Sequence, residues 1–407
     1  MASIDAGRIS RLVPEPFRAL WSEGRGVILL AVSVGWLISI GVRLVYPAIL
    51  PSIRADLEFG LTGAGMIVTV LWACYALMQF PGGLLADRIG ERAVLTSSTT
   101  LTGVGIGIVV ISSGPISFFL GTIATGFGSG LYATTRATVL SDIYPERSGT
   151  AIGFNQAFGN VGTTVLPPIA GFLTVVVSWR LGIGFLLPIA LAVAATLWFV
   201  VPARTSGDDS AVETLSRETI GRLKDGLGDL NVVLATASMF LASVVYQSFT
   251  GFYPTYLVLE KGFSEGLAAL LYGGFFAVGI LLQLLSGPSG DLLGMRLTIT
   301  VALGSATVGL FALPFADGLA VILVLSGLLS SQLAFWPVIN AYTIDVMPDE
   351  MQGTGFGLVR TVYLFLAAGG PVMIGWFGDA GMFDTAFFVL AGVAATALVL
   401  CQFLTEP

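Results

Sequence analysis

The chain has 407 residues, 55% hydrophobic and only 11% charged, with a formal net charge of −7 and a mean hydropathy of +0.90. A soluble domain carries about 25% charged residues, and no soluble fold of this length buries half its residues as core. The composition therefore excludes a soluble protein and indicates an integral membrane one. Most charges lie in loops, and no nucleic-acid partner is expected.

A membrane span takes about 20 apolar residues. On that rule the sequence predicts helices near 27–50, 62–84, 93–112, 116–140, 149–175 and 181–201. A second set is predicted near 230–257, 265–287, 297–315, 318–343, 353–376 and 382–404. The runs are continuous rather than alternating, which excludes a β-barrel. The expected fold is all-α, with twelve spans in two pseudo-symmetric six-helix bundles at 27–201 and 230–407. Residues 1–26 are polar and precede a full-length span, so they are expected to be a retained cytoplasmic segment rather than a cleaved leader. The polar stretch 202–229 joins the halves, and its TLSRETIGRLKDGL portion has the spacing of a short surface helix. A plain solvated linker is the alternative reading.

Basic residues fall unevenly. Arg8, Arg11, Arg18, Arg25, Arg88, Arg92, Arg147, Arg204, Arg217, Arg222, Lys224 and Arg296 lie on one side of the twelve-span arrangement, and Arg54, Arg180 and Lys261 on the other. By the positive-inside rule both termini and the linker are cytoplasmic, in a multi-pass protein of the cell membrane. Three arginines remain inside spans: Arg43, Arg136 and Arg360. An arginine at the centre of a span costs about 3 kcal/mol on insertion scales. A planar, permanently charged guanidinium can offset that cost by holding a carboxylate or phosphate through two parallel bonds. For Arg43 the alternative is snorkelling to the outer interface, for Arg136 pairing with cytoplasmic acids, and for Arg360 pairing with Asp142 or Asp345. Cys74 and Cys401 sit in apolar helices as packing residues, and the absence of histidine leaves no readable metal site. No cofactor is expected. No Ser/His, His/Glu or paired-carboxylate constellation points to an enzyme.

The halves repeat at an offset of 204. GGLLADRIGER at 82–92 is echoed by SGPSGDLLGMR at 286–296, and GTAIGF at 149–154 by GTGFGL at 353–358. Internal repeats of this kind mark alternating-access carriers with a site between the halves. Glycines 83 and 90 would allow a tight turn and a close helix contact. Asp87 could accept the free N–H groups of a neighbouring helix N-terminus, while Arg88 and Arg92 could reach Asp142. Together they would form a cytoplasmic latch, with Asp291, Arg296 and Asp345 as its counterpart in the second half.

The Gly-x-x-x-Asp-Arg-x-Gly-x-Arg pattern between spans two and three resembles the signature of the major facilitator superfamily, with Glu91 where the family usually carries a basic residue. Arg43 in span one, Arg136 low in span four, and Tyr75-x-x-x-Gln79-x-Pro-Gly-Gly ending span two resemble its organic-anion:cation symporters. That resemblance implies that Arg43 binds the substrate carboxylate, that Tyr75 lines the cavity, and that Arg136 serves binding or coupling. Further expected route-lining residues are Tyr46, Asn155, Gln156, Asn160, Tyr246, Gln247, Gln332, Trp336, Asn340 and Tyr363. At the 204 offset Gln247 matches Arg43, Asn340 matches Arg136, and Gln156 matches Arg360. The acidic residue often preceding the span-one arginine is replaced by Val42, which removes the usual proton carrier and leaves sodium coupling, exchange and facilitated diffusion open. Span five lacks the Gly-Pro-x-x-Gly-Gly of many drug antiporters. The expected activity is transport of a small organic anion, by a monomer in the lipid bilayer, with a proton or a sodium ion as the candidate coupling ion. Amphiphile efflux is the second reading and a non-transporting receptor or scaffold the third.

Overall fold

The structure is a computed structural model describing residues 20–21, 24–205, 228–347 and 354–405. Among the described residues twelve helices are long and apolar enough to cross a membrane. The first bundle comprises α1 (Arg25–Asp56), α2 (Leu61–Ile89), α3 (Glu91–Val110), α4 (Pro115–Ile143), α5 (Ser148–Val176) and α6 (Trp179–Val200, interrupted at Phe185). The second comprises α7 (Leu230–Leu259), α8 (Glu265–Leu293), α9 (Met295–Phe315), α10 (Gly318–Val346), α11 (Thr354–Ala367 and Gly370–Asp379) and α12 (Phe383–Gln402). Inside lipid a helix satisfies its own backbone, which is why the apolar runs adopt this form even around Pro47, Pro51, Pro167 and Pro254.

Several helices outrun the apolar windows. The window 27–50 becomes Arg25–Asp56, because the helix continues through the polar turn Ser52–Asp56 after leaving hydrocarbon. Arg43 thus sits nearer the middle of its helix than hydropathy alone places it. The repeat holds closely in this region: α2 and α8 both have 29 residues, begin 204 residues apart, and end on glycines of matching backbone, Gly90 (φ 87, ψ 149) and Gly294 (φ 86, ψ 150). Each glycine lies where a Cβ would strain the chain, and its N–H closes the helix onto Ala86 or Gly290. Gly83, by contrast, makes no close helix contact: a Cβ there, or at Gly287, would meet nothing within 4 Å.

α1 begins and α12 ends on one face of the molecule, here called the terminal side, which also carries the connection between bundles. The halves meet through α1–α7, α2–α11 and α5–α8. Every residue of Gly41–Pro51 in α1 and Gln247–Leu257 in α7 is buried, which seals the opposite side. There α2 and α11 approach closely: a Cβ on Gly65 would collide with the backbone of Pro371 and Val372, and one on Gly375 with that of Leu61. The first N–H groups of α2 have no cap from their own half, where Gly60 stands at the N-cap. The Asp379 carboxylate of the other half accepts them instead, from Leu61 at 2.7 Å and Thr62 at 2.8 Å. Ser52 also donates to Glu265 across the halves, and Val372 N–H donates to Thr69 Oγ1 at 3.3 Å.

Among the described residues the expected latch on the terminal side is open in this arrangement. The beginning of the inter-bundle connection occupies its groups instead. Thr205 Oγ1 donates to Asp142 at 2.8 Å, the Thr205 N–H donates to Glu91 at 2.8 Å, and Arg204 donates to the Arg88 carbonyl at 3.2 Å. Arg92 lies over the Trp198 ring at 4.7 Å rather than against Asp142. In the second half Arg296 donates to the Leu404 carbonyl at 2.6 Å, not to Asp291 or Asp345. No helix N-terminus reaches Asp87 among the described residues; that kind of contact is made by Asp379, on the opposite side. Glu91, the departure from the family pattern, is fully buried and holds the connecting segment in place. The surface helix expected within 214–227 lies outside the described residues, as does the start of the GTGFGL repeat.

Candidate substrate cavity

A cavity of about 390 Å³ lies between the bundles, lined from near the middle of α1, α2 and α7 and within the size range of small-ligand sites. Arg43 points into it and is only 2% exposed, so it does not snorkel. Its guanidinium carbon stands 3.6 Å from the centroid of the Tyr75 ring and 4.9 Å from that of Trp72. These two rings come from α2 at a spacing of three, which places them on one helix face. Trp72 meets Tyr75 edge-on at 5.7 Å and meets Tyr246 of the other half at 6.0 Å. The aromatic faces supply a cation–π contribution of about 2 kcal/mol when desolvated, and the Arg43 Nε–H donates to the Ser39 carbonyl at 3.3 Å.

Arg136 repeats the device one bundle layer away. Its guanidinium carbon lies 3.7 Å from the Trp36 ring centroid, Nη1 donates to Asn155 Oδ1, and Nη2 donates to Gln156 Oε1 at 3.5 Å. Asn155 is buried and tied by Nδ2 to the Val32 carbonyl at 3.2 Å, so it fixes Arg136 and does not line the cavity. Gln156 lines it and donates to Asn160 at 3.3 Å. Arg360 reaches the same cavity from α11 and is exposed to it, with no ion pair to Asp142 or Asp345. The second bundle adds Trp336 and Tyr363, stacked at 6.4 Å with an interplanar angle of 15°. It also adds Ser243 Oγ and Asn340 Oδ1, both buried and without a hydrogen-bond partner.

Of the expected residues, Arg43, Tyr75, Arg136, Gln156, Asn160, Tyr246, Trp336, Asn340, Arg360 and Tyr363 line this cavity. Tyr46, Asn155, Gln247 and Gln332 do not, and Gln332 donates to the Leu329 carbonyl at 3.1 Å. Tyr46 is fully buried, its hydroxyl donating to Thr125 at 3.4 Å and its ring edge-on to Phe118 at 5.9 Å. Gln247 donates to the Leu364 carbonyl at 3.2 Å. Both belong to the sealed segments of α1 and α7, beyond the cavity floor. Trp36 and Trp72 escape a sequence reading, since a tryptophan in an apolar span looks like core. The available signal is spacing: Trp36 precedes Arg43 by two helical turns and Trp72 precedes Tyr75 by one.

The electrostatic balance is one-sided. Three arginines line the cavity with no aspartate, glutamate or histidine among the lining residues. One ion pair, Arg180–Asp56 at 2.8 Å, lies at the opposite-side surface. Low-dielectric walls around uncompensated cations strengthen their field and concentrate anions.

Known proteins resemble this chain in sequence and in fold. Residues 31–363 and 235–407 match the family model described as Major Facilitator Superfamily. The chain is 27% identical over 375 residues to the hexuronate transporter of Bacillus subtilis (strain 168), covering 85% of this chain and 86% of that protein. It is 26% identical over 394 residues to the cis,cis-muconate transport protein of Acinetobacter baylyi, covering 92% and 89%. The fold superposes on the solved structure of a nucleoside transporter with a TM-score of 0.78 at 12% identity, over 93% of this chain and all of the other.

Proposed function

For this chain, which belongs to the major facilitator superfamily and is a secondary transporter of that type, we propose a small organic anion, a carboxylate or sugar acid, as the cargo. The observation that carries this reading is the buried guanidinium of Arg43, held between aromatic faces and facing the cavity without a carboxylate partner. Such a charge is costly in a span unless a ligand compensates it. A carboxylate docked on Arg43 and Tyr75 would leave the rest of the molecule between Arg136, Gln156 and the Trp336–Tyr363 pair. The similar carriers of Bacillus subtilis and Acinetobacter baylyi are named for a sugar acid and an unsaturated dicarboxylate, and both are organic anions.

Access alternates as one half rocks against the other. The arrangement is closed on the opposite side, by Asp379 on the α2 N-terminus and by the α2–α11 glycine contacts. The terminal side is taken as cytoplasmic, because Arg25, Arg88, Arg92, Arg147, Arg204 and Arg296 lie there against Arg54, Arg180 and Lys261 opposite. In the reverse state Asp87, Arg88, Arg92, Asp142, Asp291, Arg296 and Asp345 would come within reach of one another as the terminal ends close.

Thermal unfolding of the detergent-purified protein with a ligand panel tests the cargo class. D-galacturonate or cis,cis-muconate at about a hundredfold its Kd adds about 2.7 kcal/mol by mass action, so a clear rise in Tm is expected. Tetraphenylphosphonium, a lipophilic cation, is expected to give none. Stabilisation by the cation alone would favour amphiphile efflux instead.

A further inference from the structure

Resting on the organic-anion reading, we propose that the protein is an obligate anion exchanger, whose empty form does not reorient. The reason is electrostatic. To change sides, the cavity must pass through a state closed at both ends, shut off from the water that solvates its charges. With the cavity empty, Arg43, Arg136 and Arg360 enter that state with no anion among them. Arg136 is neighboured by neutral amides and the Trp36 ring, and Arg43 by aromatic rings and a carbonyl. Uncompensated charges in a closed, low-dielectric space are strongly unfavourable.

A carrier that returns empty normally needs a carboxylate or histidine in the cavity to neutralise the cation. None lines this one. Several described acidic groups near the ends of the spans are engaged elsewhere, and Asp87, Asp291 and Asp345 stand outside the cavity lining. Asp56 is held by Arg180 and Trp179, Glu265 by Ser52, Asp379 by the α2 N-terminus, Asp384 by Tyr256, and Glu91 and Asp142 by Thr205. An anion bound on each crossing is then the counter-charge that enters the cavity itself, in both directions. A dianion compensates more of the cavity charge than a monoanion and exchanges faster.

The test uses the full chain in liposomes preloaded with radiolabelled D-galacturonate. Efflux into a chloride buffer containing millimolar unlabelled galacturonate is expected to exceed efflux into chloride alone at least tenfold. An imposed proton or sodium gradient is expected to drive no accumulation into vesicles lacking internal organic anion. Accumulation under either gradient in such vesicles, or equal efflux with and without external anion, overturns the exchange mechanism while leaving the anion cargo standing. Absence of any galacturonate, glucarate or muconate flux overturns both. Gln156→Glu places a carboxylate where an amide now accepts from Arg136. The ratio of net to exchange flux is expected to rise at least tenfold in this variant, and that ratio is independent of how much protein folds. An unchanged ratio would contradict the role given to uncompensated cavity charge.

Discussion

Replacing Arg43 by alanine is expected to abolish measurable organic-anion transport while leaving the protein folded and inserted. Truncating one partner of a buried, hydrogen-bonded charge pair costs about 2–5 kcal/mol, or about 30- to 5,000-fold in affinity. Arg43→Lys is expected to recover only a small part, because an ammonium keeps the charge but loses the planar fork and the stacking on Tyr75 and Trp72. Stability separates a binding role from a structural one. Arg43 is a buried cation without a carboxylate partner, so its removal relieves desolvation, and the Tm of Arg43→Ala without ligand is expected to be no lower than wild type. A large drop in Tm together with normal transport by the surviving protein would show that the residue serves the fold.

The second large effect is conformational. Gly375→Leu should hold the opposite side open, because its side chain meets the backbone around Leu61, which cannot turn aside as a flexible side chain would. Overpacking costs about 1–3 kcal/mol even where side chains can move, so a shift of about a hundredfold in the access equilibrium is expected. Thr255→Cys provides the probe, since Thr255 is fully buried on the sealed side. The native Cys74 and Cys401 are both buried and should contribute little background. Labelling of the thiol introduced by Thr255→Cys with a membrane-impermeant maleimide is expected to accelerate about a hundredfold when Gly375→Leu is added, with transport lost. Asp379→Asn, which weakens only the cap on the α2 N-terminus, should accelerate labelling several-fold, in line with about 1 kcal/mol for such a contact. Unchanged labelling in both variants would mean that α2 and α11 do not form the closure.

Much of this architecture is legible in the sequence, and what is not has physical reasons. Continuous apolar runs locate the twelve spans because lipid leaves the backbone no alternative to helix. Their ends are harder to read because hydropathy registers only the part within hydrocarbon, so Ser52–Asp56 of α1 lies outside the expected window. The repeat at 204 residues correctly pairs α2 with α8 and Gly90 with Gly294. Arg43 and Arg136 stand out because charge inside a span is rare. Tyr46 and Gln247 are misplaced for a different reason. Helical spacing tells which face a residue occupies but not its depth, and both lie past the cavity floor. Trp36 and Trp72 go unnoticed because an aromatic residue in a span has the same sequence signature whether it packs core or carries a guanidinium. The latch is open in this arrangement, and nothing in the charge pattern of 82–92 shows that Arg204 and Thr205 lie across it.

On the proposed reading, a fixed positive charge is kept in this cavity because a negative charge comes to it. Equilibrium binding of D-galacturonate and of its methyl ester to the purified protein is the sharpest check on that statement, since the ester keeps the ring and hydroxyls and removes only the charge. Loss of a charged hydrogen-bond partner costs about 2 kcal/mol or more, so the acid is expected to bind at least about thirtyfold more tightly than the ester, with the difference gone in Arg43→Ala. Equal binding of acid and ester to the wild-type protein would mean that the cavity arginines are not there for an anion.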